Sequence, residues 1–220
     1  MEQGAGKDFN TLVAQRVGRQ IARAREGVGG RRMTAQALAN RTAELGHPLD
    51  RSVIAKLEKG FRQTVTVADV LVLARALDVP PVALLFPLDE PQVELLPGEI
   101  SSMWPALQWF GAEGPYPLPS GSDAEPQRWD PPPSIALFRQ HEDFVRQCQQ
   151  AAARAAESRL QSTLADDDDR ARWEASAEAD AQLALSLRDT IKALRKTLRA
   201  ANHEPPPLPK ALRSLDDDVK

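Results

Sequence analysis

Glycine and proline breaks divide residues 10–86 into five short segments, and this division constrains the fold of the chain more than any other feature. Within the segments, apolar residues recur three or four positions apart, which is the spacing of an amphipathic helix. The breaks are GVGG at 27–30, GHP at 46–48, Gly60 and the proline pair at 80–81. Glycine favours coil and left-handed caps, and proline cannot continue a helix. The pattern therefore predicts five compact helices without a strand.

The starts of three of these helices carry capping residues. Thr34 starts the second segment, and Asp50 precedes the third, whose N-terminus it suits as a cap. Thr66 begins the fourth segment, and Asp69 follows three positions later as an acidic capping-box partner. These signals predict where the second, third and fourth helices begin.

Positive charge is concentrated in the first part of the chain, although the whole chain carries a net charge of −3. Residues 16–62 hold eleven Lys and Arg against four Asp and Glu, whereas residues 87–220 hold 15 against 23. A basic block on an acidic chain is expected when one domain meets a phosphate backbone and the other does not. A random distribution of surface charge is the alternative interpretation.

Several motifs in this region are those of a known family. Arg25 lies late in the first segment, MTAQALA occupies 33–39, SVIAKLEKG occupies 52–60, and TVADVLVLARALDVPPVALL follows at 66–85. On these residues the chain resembles the Cro/lambda-repressor-like helix-turn-helix family, of the xenobiotic-response-element type found in bacterial and phage regulators. Its composition, rich in Ala, Arg and Pro, also resembles that of actinobacterial members.

The resemblance implies a five-helix DNA-binding domain in which the third segment is the recognition helix. Such a helix buries one face and presents its N-terminal residues to the major groove. Ile54 and Leu57 suit the buried face, and the family's base-reading positions are matched here by Arg51, Ser52 and Lys56. Arg can pair bidentately with guanine. A solvated helix face is the alternative interpretation of these three polar residues.

The resemblance also implies a structural ion pair and a set of phosphate contacts. In the family, the residue at the position of Glu58 pairs with the arginine that matches Arg25, which fastens the first helix to the recognition helix. The candidates for phosphate contact are Thr34, Gln36, Lys59, Arg62 and Gln63, together with Arg31 and Arg32 in the loop before the second helix. Ordinary surface polarity is the alternative for each of these candidates.

Two features depart from the family pattern. The connection between the second and recognition helices, through ELGHP at 44–48, is about five residues longer than the usual tight turn. This length can change how the recognition helix lies in the groove. Ala35 occupies the position at which many members carry a phosphate-binding Gln, so that contact has to come from another residue.

Residues 91–133 are predicted to form a linker that is partly docked on a domain. Eleven of the 18 prolines and three of the four tryptophans lie in 87–133. The segment 93–110 has enough apolar mass to pack on a domain, and disordered segments rarely carry Trp.

The residues from Ser134 onward are predicted to form two long amphipathic helices in a hairpin. One apolar stripe consists of Phe138, Val145, Cys148, Ala152 and Ala155, and the other of Leu183, Leu187, Ile191, Leu194 and Leu198. The acidic run at 166–169 suits the start of the second helix, where the macrodipole favours negative charge. The two stripes either bury each other within one chain or hold two copies together.

No sequence pattern points to catalysis, a cofactor or a metal. The glycine-rich stretch at 27–30 follows a helix and lacks the P-loop sequence, and the three histidines are far apart. The single Cys148 excludes an internal disulfide framework. The apolar stretch at 79–88 is too short and proline-rich to span a membrane, and the first ten residues carry no secretory pattern. We expect a non-enzymatic, cytoplasmic protein.

The sequence therefore predicts an all-α fold in four parts. These are a helix-turn-helix domain at 1–90, a Pro/Trp-rich linker at 91–133, a helical hairpin for dimerisation or effector binding at 134–204, and a Pro-rich, acidic tail at 205–220.

The expected function is that of a sequence-specific transcription regulator, a homodimer that binds a palindromic operator in double-stranded DNA. A protein or small-molecule effector at the C-terminal region is left open. The alternative is a protein-interaction module, in which the helix-turn-helix scaffold and the C-terminal helices dock a protein partner.

Overall fold

The computed structural model describes residues 5–27, 32–122, 124 and 130–217, with the backbone alone at 5–8 and 217. Three residues of the GVGG break, and Arg31, lie outside the described residues. Most of the described chain is helical, which confirms the all-α class in its coarse form, although one small two-stranded sheet is also present. No helix in the described ranges combines the length and apolar character needed to cross a membrane.

The chain divides into two compact units, Met1–Asp130 and Pro131–Lys220. The first unit contains the helices α1 (Ala5–Glu26), α2 (Ala35–Glu44), α3 (Arg51–Glu58), α4 (Val67–Leu77) and α5 (Pro81–Leu85). Their apolar faces meet in one core, whose most deeply buried members include Val17, Ile21, Leu38, Ile54, Leu57, Leu73 and Leu84. These helices occupy the segments that the glycine and proline breaks separate.

Side chains cap the N-termini of α2 and α4. The Thr34 hydroxyl accepts a hydrogen bond from the Ala37 amide at 3.1 Å, which caps α2. Thr66 and Asp69 form the predicted capping box, in which each side chain accepts from the other residue's amide, at 3.0 and 3.1 Å. Asp50 is the N-cap residue of α3, as predicted, but its side chain makes no capping hydrogen bond.

The segment predicted as a linker contains regular structure. Strands β1 (Gln92–Leu96) and β2 (Glu99–Ser102) pair antiparallel and are followed by α6 (Met103–Phe110). The buried residues of this segment pack with Phe86 and against the side chains of α5, and the Arg16 guanidinium of α1 donates to the Glu94 carbonyl at 2.8 Å. A two-stranded hairpin is marginal by itself in water, so these strands depend on the helices that they contact.

The second unit is a helical hairpin with a docked C-terminal segment. α7 (Pro133–Leu164) and α8 (Asp167–Ala200) run antiparallel, and the Cys148 thiol donates to the Ala184 carbonyl between them at 3.4 Å. After α8, the chain forms a 3-10 turn at Lys210–Leu212 and the short α9 (Ser214–Asp217). Three leucines of this segment are buried against the hairpin: Leu208, Leu212 and Leu215. The described part of the predicted tail is therefore folded.

The apolar stripes of the hairpin differ in part from the prediction. Five predicted members are buried: Cys148, Ala155, Leu187, Ile191 and Leu198. The others are exposed (Ala152 and Leu183) or half-buried (Phe138, Val145 and Leu194). The buried face of α8 instead includes Ala177 and Ala184, because small side chains allow two helices to approach closely.

Candidate nucleic-acid interface

α3 presents a polar face to solvent and an apolar face to the core. Arg51, Ser52 and Lys56 are all exposed, whereas Ile54 and Leu57 are each 1% exposed. At 3.6 residues per turn, the three polar positions span about 140° of the helix surface, opposite the buried pair. The residues predicted to read bases therefore share one accessible face of a short helix.

α1 packs directly on the main chain of α3. A Cβ added at Gly18 would lie 2.0 Å from the Leu57 carbonyl oxygen and 3.3 Å from the Glu58 amide nitrogen. Real Cβ atoms do not approach oxygen so closely, so this helix crossing requires glycine. Sequence analysis missed Gly18, although an isolated glycine within a helical pattern is a signal of close packing.

The Arg25 guanidinium and the Glu58 carboxylate form a two-point ion pair between α1 and α3. Arg25 Nε lies 2.6 Å from Glu58 Oε1, and Arg25 Nη2 lies 2.9 Å from Oε2. The two side chains are only 18% and 12% exposed. The hydrogen bond that Arg25 donates to Glu58 raises the pKa of Arg25 above its ordinary value, against the opposing effect of burial. The pair implied by the family resemblance is thus present in the structure.

The connection between α2 and α3 is held by its own hydrogen bonds. Gly46 has a φ of +81°, and the amides of Gly46 and His47 donate to the carbonyls of Ala43 and Thr42 at 2.9 and 3.1 Å. These two bonds form a Schellman motif, which ends a helix at a left-handed glycine. Leu49 is buried, and its amide donates to the Thr42 hydroxyl at 3.0 Å. The longer connection is therefore an ordered turn.

α3 ends with the same motif. Gly60 has a φ of +72°, and its amide donates to the Leu57 carbonyl at 3.0 Å. The Phe61 amide donates to the Lys56 carbonyl at 2.8 Å, which completes the motif. These two similar helix ends place His47 shortly before α3 and Arg62 shortly after it.

The side chain of Asp69 joins the segments on both sides of α3. Its carboxylate is 4% exposed, with Oδ1 at 3.1 Å from His47 Nε2 and Oδ2 at 3.1 Å from Arg62 Nη2. Burial tends to raise the pKa of Asp69, but hydrogen bonds from Thr66 and His47 and the charge of Arg62 outweigh it, so this pKa lies below its ordinary value. The sequence predicted Asp69 only as a helix cap, because its contacts with His47 and Arg62 depend on how the segments before and after α3 fold against α4.

Four of the residues predicted to contact phosphate are exposed on the same unit. Thr34 and Gln36 lie at the N-terminus of α2, where backbone amides and the helix dipole favour anions. Lys59 and Gln63 are exposed on either side of Gly60, after α3. All four positions are thus accessible to a ligand that approaches the exposed face of α3 or the start of α2.

The other predicted contacts are placed differently. The guanidinium of Arg62 is 28% exposed and faces Asp69, so it already has an anionic partner within the protein. Arg32 is exposed before α2, and Ala35 is half-buried against the core. Arg62 therefore differs from the exposed candidates, because its guanidinium is already paired with a carboxylate of the protein.

The chain matches no protein-family model, and comparisons with curated proteins and with solved structures give no match either. The interpretation of this surface therefore depends on its geometry and on the motifs themselves.

Proposed function

We propose that the protein is a sequence-specific transcription regulator and that its first unit binds double-stranded DNA as a helix-turn-helix domain of the lambda-repressor-like type. The observation that carries this proposal is the exposed face of Arg51, Ser52 and Lys56 on a helix whose opposite face is anchored in the core. The major groove, about 12 Å wide, admits such a helix, and Arg near its N-terminus reaches base edges.

The anchoring of α3 supports the same proposal. Reading of bases requires donors and acceptors to be held within fractions of an ångström of their partners. α3 is anchored by its contact with Gly18, by the Arg25–Glu58 pair and by the Schellman motif at Gly60. The helix that presents the polar face is therefore held rigidly against α1.

The exposed residues around α3 supply the expected backbone contacts. Lys59, Gln63 and the N-terminal turn of α2 surround a surface that would meet phosphates on either side of the groove. Each phosphate neutralised by Lys or Arg releases condensed counterions, so binding should weaken steeply as salt rises.

We propose that the regulator acts as a homodimer. One unit of this size contacts one half-site, and successive major grooves on one side of the duplex recur about 34 Å apart. Leu187 and Ile191 are buried in the hairpin of the second unit, so a contact between two copies through this unit would use leucines that stay exposed. These exposed leucines are Leu160, Leu164, Leu183 and Leu185.

Selection of bound sites from fragmented genomic DNA by the full chain tests the proposed function. The enriched duplex is then compared with a scrambled duplex of the same length and composition across a range of salt concentrations. Preferential binding of the enriched duplex supports the proposal, whereas equal binding of both duplexes contradicts sequence-specific recognition.

A protein-interaction module is the second candidate function, and one observation favours it. Ile100 of β2 and Trp104 and Phe110 of α6 are 48%, 55% and 53% exposed. Large exposed apolar side chains are a feature of interaction surfaces. Replacement of Trp104 and Phe110 by Ser should leave DNA selection unchanged if the first proposal is correct, and should abolish partner binding if the second is correct.

A further inference from the structure

α3 is too short to determine its own orientation. An isolated eight-residue helix is marginal in water, and Asp50 provides no side-chain cap for its N-terminus. α1 anchors its C-terminal half at Leu57 and Glu58. The N-terminal half, which carries Arg51 and Ser52, is held by the burial of Ile54 in the core and by the connection that precedes it.

That connection is tied to α4 through His47. Its Nε2 lies 3.1 Å from Oδ1 of Asp69, whereas Oδ2 of the same carboxylate lies 3.1 Å from Nη2 of Arg62, which follows α3 in the chain. Asp69 is itself fixed by its capping box with Thr66 at the start of α4. One buried carboxylate therefore holds the segment that enters α3 and the segment that leaves it.

We propose that Asp69 is a positioning residue for DNA reading: through His47 and Arg62 it holds α3 at the orientation in which Arg51 and Ser52 meet the bases. This inference rests on the DNA-binding function proposed above. His47 is one of the additional residues between α2 and α3. These residues therefore help to hold the recognition helix in its orientation.

The same inference changes the role of Arg62. The family resemblance implies a phosphate contact, but one nitrogen of its guanidinium is engaged by Asp69 and Nη1 is buried without a hydrogen-bond partner among the described residues. A guanidinium in that position acts on DNA through the placement of α3. Arg62 is therefore a second positioning residue, which acts with Asp69.

Positioning and phosphate contact predict different losses on substitution. Loss of a phosphate contact weakens binding to all duplexes alike and makes affinity less dependent on salt. Loss of positioning weakens binding to the selected duplex and leaves the scrambled duplex and the salt dependence unchanged, because non-specific binding requires no alignment with base edges. A purely structural role changes the melting temperature without changing the ratio of the two affinities.

The variants separate these roles. Asp69→Asn keeps the side-chain shape and an acceptor for Thr66 but removes the charge that pairs with Arg62. His47→Ala removes only the hydrogen bond between Asp69 and the connection before α3. Arg62→Lys keeps a cation, whereas Arg62→Ala removes it. Leu84→Val and Leu84→Ala serve as matched controls, because Leu84 is buried in the same core but lies on α5.

The experiment titrates the full chain with the selected duplex and with a scrambled duplex of equal length and composition, at several salt concentrations. We expect Asp69→Asn to lower the ratio of the two affinities on the order of tenfold, which corresponds to the loss of one base contact. His47→Ala should lower the ratio less, and Arg62→Lys should retain more of it than Arg62→Ala. A Leu84 variant with an equal loss of melting temperature should keep the wild-type ratio.

The outcomes distinguish this inference from the proposed function. An unchanged ratio in both Asp69→Asn and His47→Ala overturns the positioning role and leaves DNA recognition intact. An equal fall in the matched Leu84 variant also overturns it, since the loss then follows from stability. A wild-type chain without preference overturns the proposed function and the positioning role with it. If Asp69→Asn does not fold, His47→Ala and the two Arg62 variants make the same comparison.

Discussion

Gly18 lies against the main-chain carbonyl of Leu57, so that a Cβ at this position would come within 2.0 Å of the carbonyl oxygen. The contact is between one helix surface and the backbone of another, and no side-chain rotation can relieve it. It brings α1 close to the C-terminal end of α3, where the buried Leu57 lies on the side opposite the exposed polar face.

Gly18→Ala should therefore destabilise the first unit, although alanine by itself favours a helix by about 1 kcal/mol over glycine. Forced separation of packed elements typically costs about 1–3 kcal/mol, so the clash should exceed the gain in helix propensity. Thermal and denaturant melts of the full chain measure the change. Gly111→Ala is the control, because a Cβ there comes no closer than 3.4 Å to its neighbours. Equal stability of Gly18→Ala and wild type would contradict the close crossing.

The Arg25–Glu58 pair should contribute substantially to stability because both side chains are largely buried. Removal of one partner of a buried pair typically costs about 3–5 kcal/mol, since the other charge is stranded. Arg25→Ala should cost more than Glu58→Ala, because Arg25 also donates to the Met33 carbonyl at 2.5 Å. Melts of both single variants and of the double variant measure the coupling. Additive losses would show that the two residues do not interact energetically.

Arg51→Ala should weaken binding to the selected duplex by about 1–3 kcal/mol and relax the preference at one base position. Quantitative binding to a set of single-base variants of the site measures both effects. Arg75→Ala is the matched control, because its guanidinium is 73% exposed on α4 and has Asp78 as a neighbour. An equal loss in Arg75→Ala would indicate a general effect of positive charge.

His141 should make the second unit less stable as pH falls below neutrality. Its ring is 1% exposed, and Nε2 lies 3.0 Å from Nη1 of Arg195, which is itself paired with Asp216 at 2.6 Å. Burial and the charge of Arg195 lower the pKa of His141, so the folded state keeps the imidazole neutral. The unfolded chain binds a proton near the ordinary value of about 6.5.

Unfolding therefore takes up a proton below about pH 6.5, and stability should decline from there toward the lowered pKa. His141→Gln, which retains an acceptor for Arg195 without a proton to bind, should flatten the dependence between about pH 7 and 5. Denaturant melts in that range, with amide exchange in α7 and α8 as a local probe, measure this change. Parallel curves for the variant and the wild type would contradict it.

Simultaneous replacement of Leu187 and Ile191 by Asp should unfold the hairpin at any protein concentration. Both residues are in its core, and full burial of each contributes about 1.5–3 kcal/mol. Replacement of the exposed Leu160 and Leu164 by Asp should leave the helices folded and dissociate a dimer that is held there. Circular dichroism and sedimentation of the full chain separate these results. A dimer that persists in the second variant would place the contact elsewhere.

Local sequence signals identified the helices α1 to α5 and the polar face of α3. Glycine and proline act on the residues beside them, so Gly46, Gly60 and the proline pair at 80–81 mark helix ends without knowledge of the fold. The three-four spacing likewise identified Ile54 and Leu57 as the buried face of α3. The Arg25–Glu58 pair was reached through motif resemblance and has the contacts that the resemblance implies.

The sequence by itself thus determined where α1 to α5 lie in the chain and which face of α3 is polar, because these properties depend on neighbours within one or two helical turns. Only the tertiary structure decided that Gly18 meets Leu57, that Arg62 faces Asp69, and that β1 and β2 form within a proline-rich segment. The first contact joins residues far apart in the chain, and the other two depend on distant elements that pack beside them, namely the His47 segment for Arg62 and Asp69 and helices α1 and α5 for the strands. Their free energy depends on burial and approach in three dimensions, which no local pattern of residues encodes.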